Sequence, residues 1–138
     1  MLDNKNIFVK KKILIYGLGK SGLSSYLFLK KNNYIYLYDD NKNIIKNKKT
    51  KKLLIKSNHI NKINFDFVVI SPGINIKKCY LKRFLKKNLK KIVTDLDIFY
   101  SHYSKNKNIT ITGTNGKSTT TKILFDILKN QKKDVRLT

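Results

Sequence analysis

The sequence predicts an α/β protein built on a parallel sheet, with a further strand–loop–helix unit after it. Three observations predict this. Short apolar runs at residues 12–16, 34–38 and 65–70 alternate with stretches whose apolar residues recur at helical spacing. Two glycine turns, Gly17–Gly22 and Gly113–Gly116, each stand between such a run and such a helix. A polar stretch from His102 to Asn108 separates a first unit, residues 1–103, from a second and incomplete one, residues 104–138.

Taken in order, Lys12-Ile13-Leu14-Ile15-Tyr16 reads as a buried strand that runs into Gly17-Leu18-Gly19-Lys20-Ser21-Gly22. Leu23, Tyr26, Leu27 and Leu29 follow at helical spacing to about Lys31, and Asn32-Asn33 ends that helix. Tyr34 to Tyr38 is a second strand, closing at Asp39-Asp40. This strand–turn–helix–strand unit takes about thirty residues, the size of a parallel crossover. From Asn41 to Asn64 lysine and asparagine dominate, and Lys52-Leu53-Leu54-Ile55 is the one short strand on offer. Phe65 to Ile70 is a strand stopped by Ser71-Pro72-Gly73. Cys79, Leu81, Phe84, Leu85 and Leu89 predict a helix over 77–88, Lys91 to Thr94 a strand, and Asp95 the N-cap of a helix carrying Leu96, Ile98 and Phe99. Past the polar link, Asn108 to Thr112 reads as a strand leading into Gly113-Thr114-Asn115-Gly116-Lys117-Ser118-Thr119. Ile123, Leu124, Ile127 and Leu128 predict a helix over 120–129, and Asp134 to Leu137 begins another strand.

Composition removes several function classes. Hydrophobic residues make up 41%, which fits a packed globule rather than a disordered chain. No apolar run approaches the ~20 residues that cross a bilayer. Met1-Leu2-Asp3-Asn4-Lys5 lacks the basic-then-apolar layout of a secretory leader, so a cytoplasmic location without membrane attachment is expected. The single cysteine, Cys79, has no internal disulfide partner and points to no metal cage. The formal net charge of +23 attracts polyanions whatever the fold. Its texture is wrong for sequence reading, however: only Arg83 and Arg136 are arginines, the residue whose fork matches base edges and phosphates. The chain has no Ala and no Glu and over-uses Lys, Asn and Ile, the residues of A- and T-rich codons. A basic nucleic-acid-binding protein stays an alternative, but no specific nucleic-acid partner is expected.

The first glycine turn, Gly17-x-Gly19-x-x-Gly22, permits close approach of an anion to backbone amides at a helix N-terminus. Asp39 follows about twenty residues on, where such folds place an acid for a ribose hydroxyl. That context points to a diphosphate nucleotide without identifying it. An NAD-binding module and a purely structural turn both remain open. The second turn has the layout of a phosphate loop: amides cradle phosphate oxygens, Lys117 neutralises them, and a hydroxyl of Ser118 or Thr119 can ligate Mg²⁺. Strict spacing of that loop calls for glycine at position 111, where Ile111 stands. His59 reads as a surface residue, and His102 sits in the polar linker, where no catalytic role is expected. Asp95 and Asp97, two apart, do not share a helix face.

Thr112 followed by Gly-Thr-Asn-Gly-Lys-Ser-Thr is similar to the phosphate loop of the Mur ligases and of the related folylpolyglutamate synthases, whose shorter glycine spacing accommodates Ile111. The long stretch ahead of the loop favours the Mur ligases. Gly-Leu-Gly-Lys-Ser-Gly-Leu-Ser from Gly17, Ser-Pro-Gly-Ile from Ser71 and Asp95-Leu-Asp-Ile-Phe99 resemble the branch that adds D-glutamate, with another Mur ligase as the alternative. The resemblance implies a Rossmann-like domain for UDP-N-acetylmuramoyl-L-alanine, followed by the start of a P-loop ATPase domain that uses ATP and Mg²⁺. It implies that ATP phosphorylates the L-alanine carboxylate and that the D-glutamate amine attacks the acyl phosphate, forming part of peptidoglycan. Lys117 would be catalytic, and Gly113, Thr114, Asn115, Gly116, Lys117, Ser118 and Thr119 would hold the ATP phosphates, with Ser118 placing Mg²⁺. Gly17, Gly19, Lys20, Ser21, Gly22, Asp39, Asp40, Ser71 and Gly73 would hold the UDP part. Asn41 stands where members often carry an arginine. The resemblance extends over only the first part of a complete ligase. The chain is therefore expected to be an incomplete, monomeric copy that binds its UDP substrate weakly and does not ligate alone.

Overall fold

In the computed structural model, residues 7–41, 44 and 48–137 are described, and the chain divides between Lys105 and Asn106 into two compact units. The opening Met1 to Lys5 stretch lies outside the described residues.

In the first unit the apolar runs form β1 (Lys12–Tyr16), β2 (Tyr34–Tyr38), β3 (Phe67–Ile70) and β4 (Ile92–Val93). All pairings are parallel and the order is β2-β1-β3-β4, the α/β sheet that the alternation predicts. β1 is apolar on both of its faces because both are covered: Ile13, Leu14, Ile15 and Tyr16 are all fully buried. On one face, α1 (Lys20–Leu29) and α5 (Asp95–His102) contribute Leu29 and Ile98, which pack with Leu18 against Ile13, Ile15, Leu37 and Val69. On the other, α4 (Lys82–Lys87) and the segment before it contribute Leu81, Phe84 and Leu85 against Leu14, Tyr16, Val68 and Ile70. Ile60 of the short α3 (Ser57–Ile60) joins that second cluster. Because β1 lies between β2 and β3, the carboxyl ends of β1 and β3 flank the point where the strand order reverses. Open α/β sheets bind ligands there.

Several elements differ from expectation, each for a local reason. α1 begins at Lys20, three residues before its first apolar position, since its opening turn faces the glycine turn rather than the core. Residues 52–55 make one parallel bridge, Leu37 to Leu54, instead of a strand. Leu37 donates to the Leu53 carbonyl at 3.0 Å and Ile55 donates to the Leu37 carbonyl at 2.9 Å, with α2 (Lys48–Lys51) and α3 closing off either side. The helix expected over 77–88 shrinks to α4. Asn75 takes the amides of Lys78 and Cys79 on its carbonyl and that of Lys77 on its side chain, a turn that competes with helix. Cys79 therefore lies ahead of the helix. The cap of α5 is Thr94, not Asp95: the Thr94 hydroxyl accepts the Asp97 amide while the Asp97 carboxylate takes the Thr94 amide at 2.6 Å, a reciprocal capping box. α5 runs through His102, so the polar link starts after it.

The second unit consists of α6 (Lys117–Asn130) with irregular segments on either side. α6 opens directly after Gly116, whose φ of 77° is left-handed and suits glycine. The strands expected at 108–112 and 134–137 do not form. Neither segment joins a ladder among the described residues, and a strand exists only as one side of a pair.

Candidate diphosphate-binding site

The first glycine turn is tied to three neighbours at the carboxyl edge of the sheet. Gly17 donates to the Tyr38 carbonyl at 3.0 Å, and Leu18 donates to Asp39 Oδ2 at 2.6 Å, which binds the turn to the end of β2. Ser71 Oγ donates to the Gly17 carbonyl at 2.7 Å, and the Ser71 amide to Tyr16 at 3.0 Å, which binds it to the end of β3. Ser21 Oγ donates to Asp95 Oδ2, which binds it to the start of α5.

The three glycines do different jobs. At Gly17, with φ of 93°, a Cβ would come to 2.8 Å from Ser71 Cβ. At Gly22 a Cβ would fall 1.8 Å from the Gly17 carbonyl oxygen, so α1 can approach the turn only without a side chain there. At Gly19 a Cβ would meet nothing within 4 Å. Gly17 and Gly22 close the turn, and Gly19, the exposed N-cap of α1, borders open space next to the first-turn amides, which lack intrahelical acceptors. Lys20 is exposed beside that opening, and Gly73 likewise borders open space.

Asp39, expected as a ribose acceptor, already serves as a staple: Oδ2 takes the Leu18 amide and Oδ1 the Asn41 amide at 2.8 Å. Asp40 Oδ2 accepts the Tyr16 hydroxyl at 2.7 Å and the Tyr80 amide at 3.4 Å. The sequence does not pair Tyr16 with Asp40; the available signal is a tyrosine immediately before the glycine turn. Burial is the largest cause raising both Tyr16 and Tyr38, followed by the hydrogen bond to Asp40 for Tyr16 and its charge for Tyr38. Tyr38 is pushed up to about 12, and Tyr16 is raised further. A tyrosine whose folded value exceeds its unfolded one of about 10 stabilises fully below that pH and loses the contribution as pH climbs toward the folded value. Alkaline titration followed by phenolate absorbance should therefore show two tyrosines ionising last, together with loss of near-ultraviolet dichroism. Early titration of all eight tyrosines with the fold intact would contradict this assignment.

In the second unit, Lys117 Nζ donates back to the Gly113 carbonyl and, at 3.2 Å, to that of Thr114, so the loop closes on its own lysine. Ser118 and Thr119 are exposed in the first turn of α6. Among the described residues no group of three His, Cys, Asp or Glu side chains gathers as a metal cage. His59 is exposed, and the His102 ring packs edge-on against Phe28 with centroids 4.8 Å apart. A cavity of about 590 Å³ lined by Ile35, Leu53, Ile55, His59 and Ile63 includes no residue of either glycine turn. Among the described residues no helix is long and apolar enough to cross a membrane.

Residues 11–93 match the profile of the Mur ligase MurD-like, N-terminal domain. The chain belongs to this Mur ligase family. That matched stretch holds every element of the parallel sheet and the whole first glycine turn. Among similar proteins, the UDP-N-acetylmuramoylalanine–D-glutamate ligase of Rickettsia prowazekii is 36% identical over 128 residues, covering 91% of this chain and 28% of the relative. The enzyme of that name from Caldicellulosiruptor saccharolyticus is 35% identical over 130 residues, covering 86% and 28%. That of Lachnoclostridium phytofermentans is 37% identical over 139 residues, covering 93% and 30%. The chain thus spans less than a third of the length of these relatives.

Proposed function

We propose that this chain is the UDP-substrate-binding part, with the first phosphate-loop segment, of a ligase that joins D-glutamate to UDP-N-acetylmuramoyl-L-alanine. The observation that carries the reading is the division of labour in the first glycine turn. Gly17 and Gly22 allow the close packing that aims α1, and Gly19 keeps its amide end open to an anion. The names of the relatives supply the identity of the anion and of the amine.

In this reading the amides at Lys20, Ser21 and Gly22 and the Lys20 ammonium hold the UDP diphosphate, with Gly73 leaving room alongside. Asp39 and Asp40 shape the edge where the nucleotide lies, through their bonds to Leu18 and Tyr16. Ser71 fixes the turn rather than the ligand.

The loop Gly113, Thr114, Asn115, Gly116, Lys117, Ser118 and Thr119 would hold the phosphates of ATP. The residues fit. A Cβ at Gly116 meets nothing within 4 Å, and the Lys117 ammonium rests on loop carbonyls that a phosphate can replace as its partner. Ser118 offers one hard oxygen, which suits Mg²⁺ held mainly by phosphate and water. When bound, Mg²⁺ supplies charge neutralisation at the transferring phosphoryl group. Lys117 would stabilise the same charge and Ser118 would orient the ion. The reaction is formation of an acyl phosphate on the L-alanine carboxylate, followed by attack of the D-glutamate amine with loss of phosphate. We assign residues 104–138 to the ATPase part, no residue of the chain to the D-glutamate site, and the setting to the cytoplasm.

The test is calorimetric titration of the chain, at moderate salt, with UDP-N-acetylmuramoyl-L-alanine and separately with NADH. Saturable binding of the UDP compound alone is expected. Binding of NADH alone would replace this reading with a dinucleotide module.

A further inference from the structure

Asp95 ties the first glycine turn to α5, and the proposed function gives it no part in binding. It opens α5, whose start is fixed by the Thr94–Asp97 capping box. Ile98, 5% exposed, anchors the helix on the face it shares with Leu18 and Leu29. Asp95 is thereby carried to the first turn of α1, 74 residues away in sequence, where Oδ2 accepts the Ser21 hydroxyl. Its Oδ1 takes the Leu96 amide at 3.0 Å, and Asp97 is occupied by Thr94, so Asp97 does not substitute for it.

A serine hydroxyl carries one proton. With that hydrogen bond donated to Asp95, Ser21 offers the turn only lone pairs, backed by a carboxylate. An anion in the turn then gains the first-turn amides and Lys20 but not the Ser21 hydroxyl, and it meets a like charge behind it. We propose that Asp95 is a positioning residue that withholds the Ser21 proton from the diphosphate site and so limits the affinity of the turn for its ligand. The inference rests on the first glycine turn binding the UDP diphosphate, as proposed above. A restrained hold suits a ligand whose diphosphate is unchanged between substrate and product, since the product must leave the same turn.

The experiment is titration of the chain with UDP, comparing the unaltered protein, Asp95→Asn, Ser21→Ala and the double variant, each checked for folding by circular dichroism. The asparagine amide can donate to Ser21 Oγ and release the hydroxyl proton toward phosphate. Asp95→Asn is expected to tighten UDP binding about tenfold, the size of one hydrogen bond to a charged group. In the double variant, loss of the Ser21 hydroxyl should remove that gain. A role in merely propping α5 would not produce that dependence on Ser21. Gain that survives in the double variant would show that only the charge of Asp95 matters and would overturn the proton-withholding role. A tenfold loss from Ser21→Ala alone would also overturn it, and this arm decides even if Asp95→Asn fails to fold. UDP binding to none of the four folded proteins would bring down the proposed function itself, whereas binding to the unaltered chain isolates any failure to Asp95.

Discussion

Replacing Gly22 with alanine should unfold the first unit or cost it about 3 kcal/mol, the upper range for overpacking a rigid site. The added methyl would lie 1.8 Å from the Gly17 carbonyl oxygen, 2.9 Å from the carbon of that carbonyl and 2.9 Å from Ser71 Oγ. None of these can step aside cheaply. The Gly17 carbonyl is held by the Ser71 hydroxyl, Gly17 is tied to Tyr38, and the Ser71 amide is tied to Tyr16, so relief requires moving α1 off the sheet. Against a total stability of about 5–15 kcal/mol, that loss leaves a substantial unfolded population. Gly19→Ala is the matched control: its methyl meets nothing within 4 Å and the residue has φ of −66°, open to any side chain. It should cost less than about 1 kcal/mol, the scale of a helix-cap change, while weakening UDP binding by filling the opening. Urea unfolding of both variants measures the contrast. Equal midpoints for the two would show that the close packing at Gly22 carries no weight.

The contrast also explains what could be read from the sequence. β1, β2 and the glycine turn were legible because each is written locally: a continuous apolar run, then glycines, then helical spacing. The three glycines looked alike in the sequence, however. Which of them packs and which stays open depends on Ser71, 54 residues beyond Gly17, and on the path of α1. The pairs Tyr16–Asp40 and Ser21–Asp95 escape the sequence for the same reason: a tyrosine before the glycine turn hints at a polar partner, but nothing near it or near Ser21 says which distant residue that partner is. The order β2-β1-β3-β4 likewise follows from which strand edges meet, and alternation alone does not fix it. Where local pattern misled, a local competitor won, as Asn75 did in shortening α4.

The segment 108–112 shows the limit from the other side, and it leads to the second large effect. Ile109 and Ile111 among threonines have the composition of a strand, but strand propensity measures fit to a pleated, half-buried surface rather than a preference of the isolated backbone. Here Ile109 is 64% exposed and no ladder forms among the described residues. α6 has no buried residue, and Ile123 and Ile127 of its apolar side are 56% and 49% exposed. A helix of 14 residues without tertiary burial is marginal in water. Its one ion pair, Lys122 to Asp126, lies on the surface and adds a few tenths of a kcal/mol. Native-state amide exchange of the chain should therefore split in two. The amides of Ile13, Leu14, Ile15 and Tyr16, in a fully buried strand paired on both sides, should exchange only through global opening. Those of α6 should exchange through local fraying, faster by at least about a thousandfold, the gap between a marginal helix and a domain of ordinary stability. Equal protection in both units would mean that α6 is stabilised by burial not present among the described contacts, and the exposed isoleucines would be the place to look for what covers it.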